Sequence, residues 1–166
     1  MSRSADLSPQ LSLKEAKMNI IVFTRAEAER TPLQGRHAYI SLMDSDQDPA
    51  NLPEGTGECV GVLRIATDDV LDDADQGRPI TAFNENHAAM VLDFWDRVKD
   101  DIDILAVHCN GGQCRSPAVA AAITRVEGGD DDKWFRTKRP NIRVYRMILD
   151  EHHARLDRKV GTVHVL

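Results

Sequence analysis

The stretch that decides the expected fold is HCNGGQCRSP, residues 108–117. It follows an apolar run, residues 102–107, whose length and composition predict a buried strand. It precedes a run of small residues, 118–126, that predicts a helix opened by Arg115 and Ser116. Because continuous apolar strands are typical of the interior of parallel sheets, this strand–loop–helix unit predicts an α/β fold.

The loop between this strand and this helix has the composition of an anion-binding site. The N–H groups of a short glycine-containing loop and of a helix N-terminus can converge on one point, where the helix dipole also favours negative charge. Gly111 and Gly112 are expected to adopt backbone angles that a side chain forbids. Arg115 offers a planar fork that can hold two phosphoryl oxygens. The same field favours the thiolate of Cys109, the nucleophilic form of a cysteine.

The stretch resembles the signature loop of the cysteine-dependent protein tyrosine and dual-specificity phosphatases, whose pattern is His-Cys, five residues, Arg, and Ser or Thr. Cys109, Arg115 and Ser116 occupy its defining positions, and the resemblance extends over about residues 60–149, most closely to small bacterial members. It implies a three-layer α/β fold with a mainly parallel central sheet flanked by helices. It also implies that Cys109 is the nucleophile, that Arg115 binds phosphate and that Ser116 eases departure of the thiolate.

The resemblance assigns phosphate binding to the loop itself, which comprises Asn110, Gly111, Gly112, Gln113, Cys114 and Arg115. The loop departs from the commoner family pattern at Gln113 and Cys114, where many members have Gly or Ser. A bulkier Gln would narrow or re-aim the cradle. Cys114 either forms a reversible, redox-sensitive disulfide with Cys109 or points into the core, as free cysteines usually do. His108 is expected to orient the loop by hydrogen bonds rather than to transfer protons.

A phosphatase of this class needs a general acid on a separate loop that can cover the bound phosphate. In the dual-specificity family the acid is an Asp that directly follows a strand. It lies upstream of the helix that leads into the strand carrying the cysteine. Residues 60–70 supply a strand followed by Asp68 and Asp69, and their spacing favours Asp69, with Asp68 as second choice. The alternative is a solvated acidic loop that also contains Asp72, Asp73 and Asp75. The order of these residues is not that of a calcium-binding EF-hand.

The composition is that of an ordinary globular domain. The 166 residues, 42% of them hydrophobic, suffice for one domain with a substantial core. No apolar run approaches the length of a membrane span, and the first residues lack the apolar core of a signal peptide. We therefore expect a cytoplasmic protein without membrane association. Three cysteines, an odd number, argue against a disulfide scaffold, and Cys59 is expected to be buried and inert.

The net charge of −6 argues against general affinity for nucleic acid or for an anionic membrane. Against this background one basic cluster is either a solvated face or a contact surface for an anionic substrate: Lys133, Arg136, Lys138, Arg139 and Arg143. The expected partner is a phosphorylated protein or a small phosphomonoester. The chemistry implied by the resemblance requires no metal and no cofactor, and the oligomeric state stays open.

Alternating strands and helices are predicted along the rest of the chain. Strands are expected at residues 19–24, 37–43 and 59–66, and helices at 25–30 after a Thr24 cap, 85–99 after an Asn84 cap, 130–137, and 142–155 after an Asn141 cap. The predicted organisation is a flexible N-terminal tail, one phosphatase-like domain and an extended C-terminal tail, at residues 1–17, 18–158 and 159–166.

The function implied by the resemblance is phosphomonoester hydrolysis through a cysteinyl-phosphate intermediate, with a protein tyrosine or dual-specificity phosphatase favoured. One alternative is a pseudophosphatase that binds phosphorylated partners without turnover. Another is a different thiol enzyme, an arsenate reductase or a rhodanese-like sulfur carrier, although the position of the loop past the middle of the chain and its Arg-Ser ending argue against both. A metal site formed by His108, Cys109 and Cys114 is disfavoured because two of the ligands would be consecutive.

Overall fold

A parallel sheet forms the centre of the fold. In the computed structural model, which describes residues 19–72 and 77–163, four segments are strands. They are β1 (Asn19–Thr24), β2 (His37–Met43), β3 (Cys59–Ala66) and β4 (Ile104–Cys109). The order across the sheet is β1-β4-β2-β3, and every neighbouring pair is parallel. The predicted strands and the parallel sheet are confirmed, with β4 beginning two residues later than expected and ending on Cys109.

Five helices are described: α1 (Arg25–Arg30), α2 (Glu85–Val98), α3 (Arg115–Val126), α4 (Asp132–Thr137) and α5 (Ile142–Val163). The prediction that the last helix ends near residue 155 and is followed by an extended tail was wrong, because α5 continues to Val163. Arg155 and Arg158 both pair with Glu151, which stabilises the helix across the predicted end. No helix in the described ranges combines the length and apolarity needed to span a bilayer.

Parts of the predicted organisation lie outside the described residues. These are the N-terminal tail of residues 1–17, the end of the C-terminal tail at 164–166, and Asp73 and Asp75 of the acidic loop.

Side-chain caps determine where two of the helices begin, as the sequence predicted. Thr24 Oγ1 accepts a hydrogen bond from Glu27 N at 3.0 Å, and the Glu27 carboxylate accepts one from Thr24 N at 3.2 Å. Asn84 and His87 make the same reciprocal pair at the start of α2. Such capping boxes satisfy N–H groups that lack intrahelical partners. The cap at Thr24 ends β1 beside Cys109, its register partner on β4.

The core lies mainly on one face of the sheet. Alternate residues of β2 and β4 point to this face and pack against α2, α3 and α5, among them Ala38, Ile40, Leu42, Leu105 and Val107. Tyr39 and Ala106 face the other side, where Leu33 and Leu52 from the connecting segments cover them. The central sheet between two covering layers agrees with the predicted three-layer α/β fold.

All four strands end at the same edge of the sheet, because they are parallel. Met43 is paired with Ala66, and Thr24 with Cys109, so the segments that follow the strands leave from one edge. Ligands of open α/β folds bind outside the carboxyl ends of strands. The loop of residues 110–114 therefore emerges where the segments after β2 and β3 can contribute side chains to it.

Candidate active site

Cys109 lies at the floor of the loop. It is the last residue of β4, flanked by β1 and β2, and its side chain is buried. Its Sγ lies 3.1 Å from Oγ of Ser116, which is fully buried in the first turn of α3. The structure therefore brings these two residues together in a geometry that lets the hydroxyl donate a hydrogen bond to the sulfur.

Of the two loop glycines, Gly112 is required by the backbone. Its φ is +62°, and a Cβ there would lie 3.0 Å from backbone atoms of Phe23 and Thr24. Both the conformation and the close approach of β1 therefore exclude a side chain. Gly111 has no positive φ, and a Cβ there would meet nothing within 4 Å. The expectation of special backbone angles is confirmed for Gly112 and was wrong for Gly111, which lies in open space.

The loop engages the surrounding chain through its carbonyl oxygens. Three of them accept backbone hydrogen bonds: Asn110 O from Arg25 N at 3.1 Å, Gln113 O from Arg139 N at 2.9 Å, and Cys114 O from Asn141 N at 2.8 Å. Within the described part of the chain, the N–H groups of residues 110–115 donate no backbone hydrogen bond. These amides, together with the N-terminus of α3, are therefore available to an anion.

Among the described residues, the guanidinium of Arg115 is anchored through Nη1 alone. The residue is 4% exposed, and Nη1 lies 2.6 Å from Thr67 O and 2.7 Å from Asp44 Oδ1. Its Nε is buried, and no residue in the described ranges accepts a hydrogen bond from it. An unpaired buried donor costs about 1–3 kcal/mol, and native proteins keep few of them. An arginine held this way suits a ligand that supplies the missing acceptor.

Asp44 is a site residue that no pattern in the sequence indicated. Asp44 directly follows β2, and β2 neighbours β4 in the sheet. Its carboxylate bridges the loop, with Oδ1 on Arg115 at 2.7 Å and Oδ2 on Asn110 Nδ2 at 3.0 Å. The sequence did show a carboxylate immediately after a buried strand. It did not show that β2 and β4 are neighbours in the sheet, which is what brings Asp44 to the loop.

Asp68, the second choice for the general acid, is enclosed by the protein. It is 1% exposed, and its carboxylate accepts from Ser45 Oγ at 2.7 Å, Ser45 N at 3.2 Å and Thr81 N at 2.7 Å. Burial raises the pKa of Asp68, but the hydrogen bonds from Thr81 and Ser45 outweigh it and hold the pKa below its usual value. A buried carboxylate stabilised in its ionised form is poorly suited to donate a proton.

Asp69 is exposed and reaches the loop. Its Oδ1 accepts a hydrogen bond from Asn141 Nδ2 at 2.8 Å. The Cys114 thiol is its second neighbour: burial raises the pKa of Cys114, and the adjacent, hydrogen-bonded Asp69 carboxylate raises it further. Of the two aspartates, the structure therefore places Asp69 against the loop. Cys114 is half-buried beside this carboxylate rather than packed into the core.

His108 ties β4 to β2 beneath the loop. It is buried, and its Nε2 shares a 2.6 Å hydrogen bond with Ser41 Oγ. Burial lowers the pKa of His108 to about 4, so the ring is neutral at physiological pH. The hydrogen bond joins His108 to β2 rather than to the loop, so orientation of the loop by this residue stays a prediction.

Cys59 corrects another expectation, because it is exposed. It is the first residue of β3, which lies at the edge of the sheet and is only partly covered. Of the basic cluster, Arg139 contacts the loop through its backbone, since Arg139 N donates to Gln113 O, while Arg143 Nε donates to Phe83 O at 2.8 Å. Lys133, Arg136 and Arg139 are exposed.

Comparison with known proteins gives a fold but no close relative. No protein-family model matches the chain, and no curated protein matches it. Among solved structures, human tyrosine phosphatase-like serine/threonine/tyrosine-interacting protein is similar with a TM-score of 0.57 and 16% identity, over 83% of this chain and 93% of that one. Human DUSP28 gives 0.52 and 14%, over 86% and 97%.

A mouse candidate dual-specificity phosphatase, solved in complex with zinc tungstate, gives a TM-score of 0.51 and 17% identity, over 96% of both chains. Similarity at such identities is similarity of fold. It agrees with the family resemblance of the HCNGGQCRS loop and with the position of that loop at the carboxyl edge of the sheet. The chain has the α/β fold of the dual-specificity phosphatases.

Proposed function

We propose that this protein is a cysteine-dependent phosphatase of the tyrosine or dual-specificity type that hydrolyses phosphomonoesters. The observation that carries the proposal is the arrangement around Cys109. Its sulfur lies 3.1 Å from Ser116 Oγ, beneath a loop whose N–H groups donate no backbone hydrogen bond to any residue that the structure describes. The buried Nε of Arg115 also has no hydrogen-bond partner within residues 19–72 and 77–163. These are donors for the oxygens of a phosphoryl group, placed around a nucleophile.

The proposed reaction has two steps. The Cys109 thiolate attacks phosphorus, the bond to the ester oxygen breaks, and Asp69 gives its proton to the departing alcohol or phenol. Asp69, now ionised, takes a proton from water as the water attacks the phosphocysteine, which releases inorganic phosphate. Ser116 donates a hydrogen bond to the departing thiolate. Loop amides and Arg115 meet the charge on the three equatorial oxygens throughout.

Tetrahedral oxyanion binding by a protein of this fold supports the proposal. The mouse candidate dual-specificity phosphatase was solved in complex with zinc tungstate, and tungstate is a tetrahedral oxyanion like phosphate. We infer the same binding chemistry for the loop of this chain. The substrate class is then a phosphorylated protein or a small phosphomonoester, and neither step calls for a metal or a cofactor.

Hydrolysis of para-nitrophenyl phosphate, with reductant and EDTA present, tests the proposal. The wild-type protein is expected to hydrolyse para-nitrophenyl phosphate. Cys109→Ser is expected to lose this activity while still binding tungstate in calorimetry. Cys59→Ser is the matched control, because it removes an exposed thiol on β3, and it should behave as wild type. Turnover retained in Cys109→Ser would assign another nucleophile. A reduced wild-type protein that binds tungstate without turnover would be a phosphate-binding module.

A further inference from the structure

Asn141 joins three parts of the molecule at the candidate active site. Its backbone N–H donates to Cys114 O at 2.8 Å, which ties it to the loop. Its side-chain Nδ2 donates to Asp69 Oδ1 at 2.8 Å and to Val70 O at 3.1 Å, which ties it to the segment after β3. The residue itself is 5% exposed. The loop and the candidate acid are therefore held by one buried side chain and its backbone.

The same side chain caps the last helix. Asn141 Oδ1 accepts hydrogen bonds from Arg143 N at 3.0 Å and Val144 N at 3.2 Å, at the start of α5. Ser, Thr and Asp satisfy helix N-termini about as well as Asn does. Of these four residues, Asn alone carries its donor on a different atom from the capping acceptor, so it can accept through Oδ1 and donate through Nδ2 at the same time. Helix capping therefore explains the contacts of Oδ1. It does not explain the hydrogen bond that Nδ2 donates to Asp69, which is a separate role of the side chain.

Asp69 needs such a donor because it is exposed. An exposed carboxyl moves among several rotamers and water contacts. Fixing it before the reaction lowers the entropic part of the activation free energy. Resting on the proposed function, we propose that Asn141 is the positioning residue for the general acid, holding the Asp69 carboxyl against the loop so that its proton reaches the leaving oxygen. Asn141 itself transfers no proton.

The test compares two leaving groups in Asn141→Ser, which keeps a capping acceptor and removes Nδ2. Phenyl phosphate needs a proton on its poor leaving group, whereas 2,4-dinitrophenyl phosphate does not. The kcat for phenyl phosphate is expected to fall about tenfold or more, and that for 2,4-dinitrophenyl phosphate to stay within about twofold. Asn84→Ser is the matched control: it makes the same change at the cap of α2 and should alter neither kcat.

A double variant separates this inference from the proposed function. If Asn141 acts through Asp69, adding Asn141→Ser to Asp69→Asn costs no further activity on phenyl phosphate. Should Asp69→Asn lose no activity on phenyl phosphate, the assignment of the acid fails. If Asp69→Asn loses activity but Asn141→Ser lowers kcat equally for both substrates, or lowers it for neither, then only the positioning role of Asn141 fails.

A second variant keeps the test decisive if Asn141→Ser unfolds. Asn141→Asp retains the capping acceptor and places a carboxylate against Asp69 in place of the amide. The selective loss with phenyl phosphate is expected here too. A like charge also raises the pKa of a carboxyl, so the decline of activity at alkaline pH should move to higher pH in this variant. An unchanged pH profile together with unchanged phenyl phosphate turnover would overturn the proposal.

Discussion

Asp44 Oδ1 lies 2.7 Å from Arg115 Nη1, which links the residue after β2 to the first residue of α3. The other carboxylate oxygen accepts from the Asn110 amide at 3.0 Å, so one side chain holds both ends of the loop. The arginine side chain is 5% exposed and the aspartate 29%. Salt screens a largely buried pair of this kind less than a surface pair. The pair fixes the direction in which the guanidinium presents its free edge.

Removing this carboxylate should weaken catalysis. Asp44→Ala is expected to lower kcat/KM for para-nitrophenyl phosphate about tenfold, equivalent to ~1.4 kcal/mol, because Arg115 and Asn110 lose their common partner. Asp44→Asn, which keeps the shape and one acceptor, should lose less. Asp46→Ala, an exposed neighbour in the same segment, is the control. An Asp44→Ala protein as active as wild type would show that the loop needs no such support.

Arg115→Lys tests whether the planar fork matters beyond its charge. A lysine ammonium keeps the charge but lacks the paired donors that match two oxygens. We expect turnover and tungstate affinity each to fall about a hundredfold, as when an oxyanion donor is lost. Arg136→Lys, on the exposed face of α4, should leave both unchanged. Equal tungstate affinity in Arg115→Lys and wild type would remove Arg115 from the binding site.

Asp68→Asn is expected to reduce stability rather than chemistry. The substitution replaces a buried carboxylate that accepts three hydrogen bonds, so the free energy of unfolding should fall by about 2 kcal/mol. The folded-state pKa of Asp68 is lowered, so its contribution is full above the unfolded pKa of about 4 and is lost as pH falls through the folded value.

Urea unfolding of wild type and Asp68→Asn between pH 6 and pH 3 checks this expectation, with the exposed Asp150→Asn as control. The difference between wild type and Asp68→Asn should narrow toward pH 3. A difference that stays constant over this range would mean that the charge of Asp68 contributes nothing. Selective loss of phenyl phosphate turnover in Asp68→Asn would instead move the general acid from Asp69 to Asp68.

His108 should make the fold sensitive to mild acid. Burial lowers its pKa to about 4 in the folded protein, whereas the unfolded chain has a value of about 6.5. Between these values the unfolded state binds a proton that the folded state does not. Stability is therefore full above about pH 6.5 and falls below it by up to about 1.4 kcal/mol per pH unit.

His108→Gln, which keeps a hydrogen-bonding group beside Ser41, should flatten this dependence. The measurement is the free energy of unfolding in urea at pH 7, 6 and 5. His153→Gln, at an exposed position on α5, is the control and should retain the slope of wild type. Parallel slopes in His108→Gln and wild type would place the acid sensitivity in other groups.

Cys114 is expected to protect Cys109 from irreversible oxidation, though slowly at neutral pH. Peroxide converts the Cys109 thiolate to a sulfenic acid, and the Cys114 thiolate then displaces hydroxide to form a disulfide. Burial and Asp69 raise the pKa of Cys114, so its thiolate is scarce at pH 7 and disulfide formation should accelerate with pH.

Recovery of activity by dithiothreitol after a peroxide pulse measures this protection. Wild type should recover more than Cys114→Ser, and the gap should widen from pH 7 to pH 8.5. Cys59→Ser serves as control and should recover as wild type does. Equal recovery in wild type and Cys114→Ser would exclude the disulfide.

Local patterns in the sequence predicted much of this structure. The caps at Thr24 and Asn84 depend on residues three positions apart, and both were found. Cys109 and Ser116 are brought together by a strand, a short loop and a helix that are adjacent in the chain. Asp69 was favoured over Asp68 by spacing alone, and the structure places it against the loop.

Features that depend on contacts between distant parts of the chain could not be predicted from the sequence. Asp44 belongs to the site only because β2 lies beside β4, an order that no local pattern specifies. Asn141 was recognised as a helix cap, while its contact with Asp69 depends on how α5 packs. Cys59 was expected to be buried because the position of β3 at the sheet edge was unknown. The length of α5 was underestimated because the ion pairs of Glu151 with Arg155 and Arg158 stabilise the helix across its predicted end at residue 155.

The contacts of Asn141 set the smallest fragment that would keep the loop and Asp69 in their observed arrangement. A fragment ending before residue 141 would keep every residue of the HCNGGQCRS motif and the whole of α3. It would lose the Asn141 N–H that donates to the Cys114 carbonyl and the Asn141 amide that donates to Asp69, and would keep the donor to Cys114 O from Ala118 N. Transplanting the motif with its strand and helix onto another α/β scaffold would therefore move the proposed nucleophile without the proposed proton donor. A segment that keeps the loop together with its contacts to Asn141 begins with β1 and extends into α5.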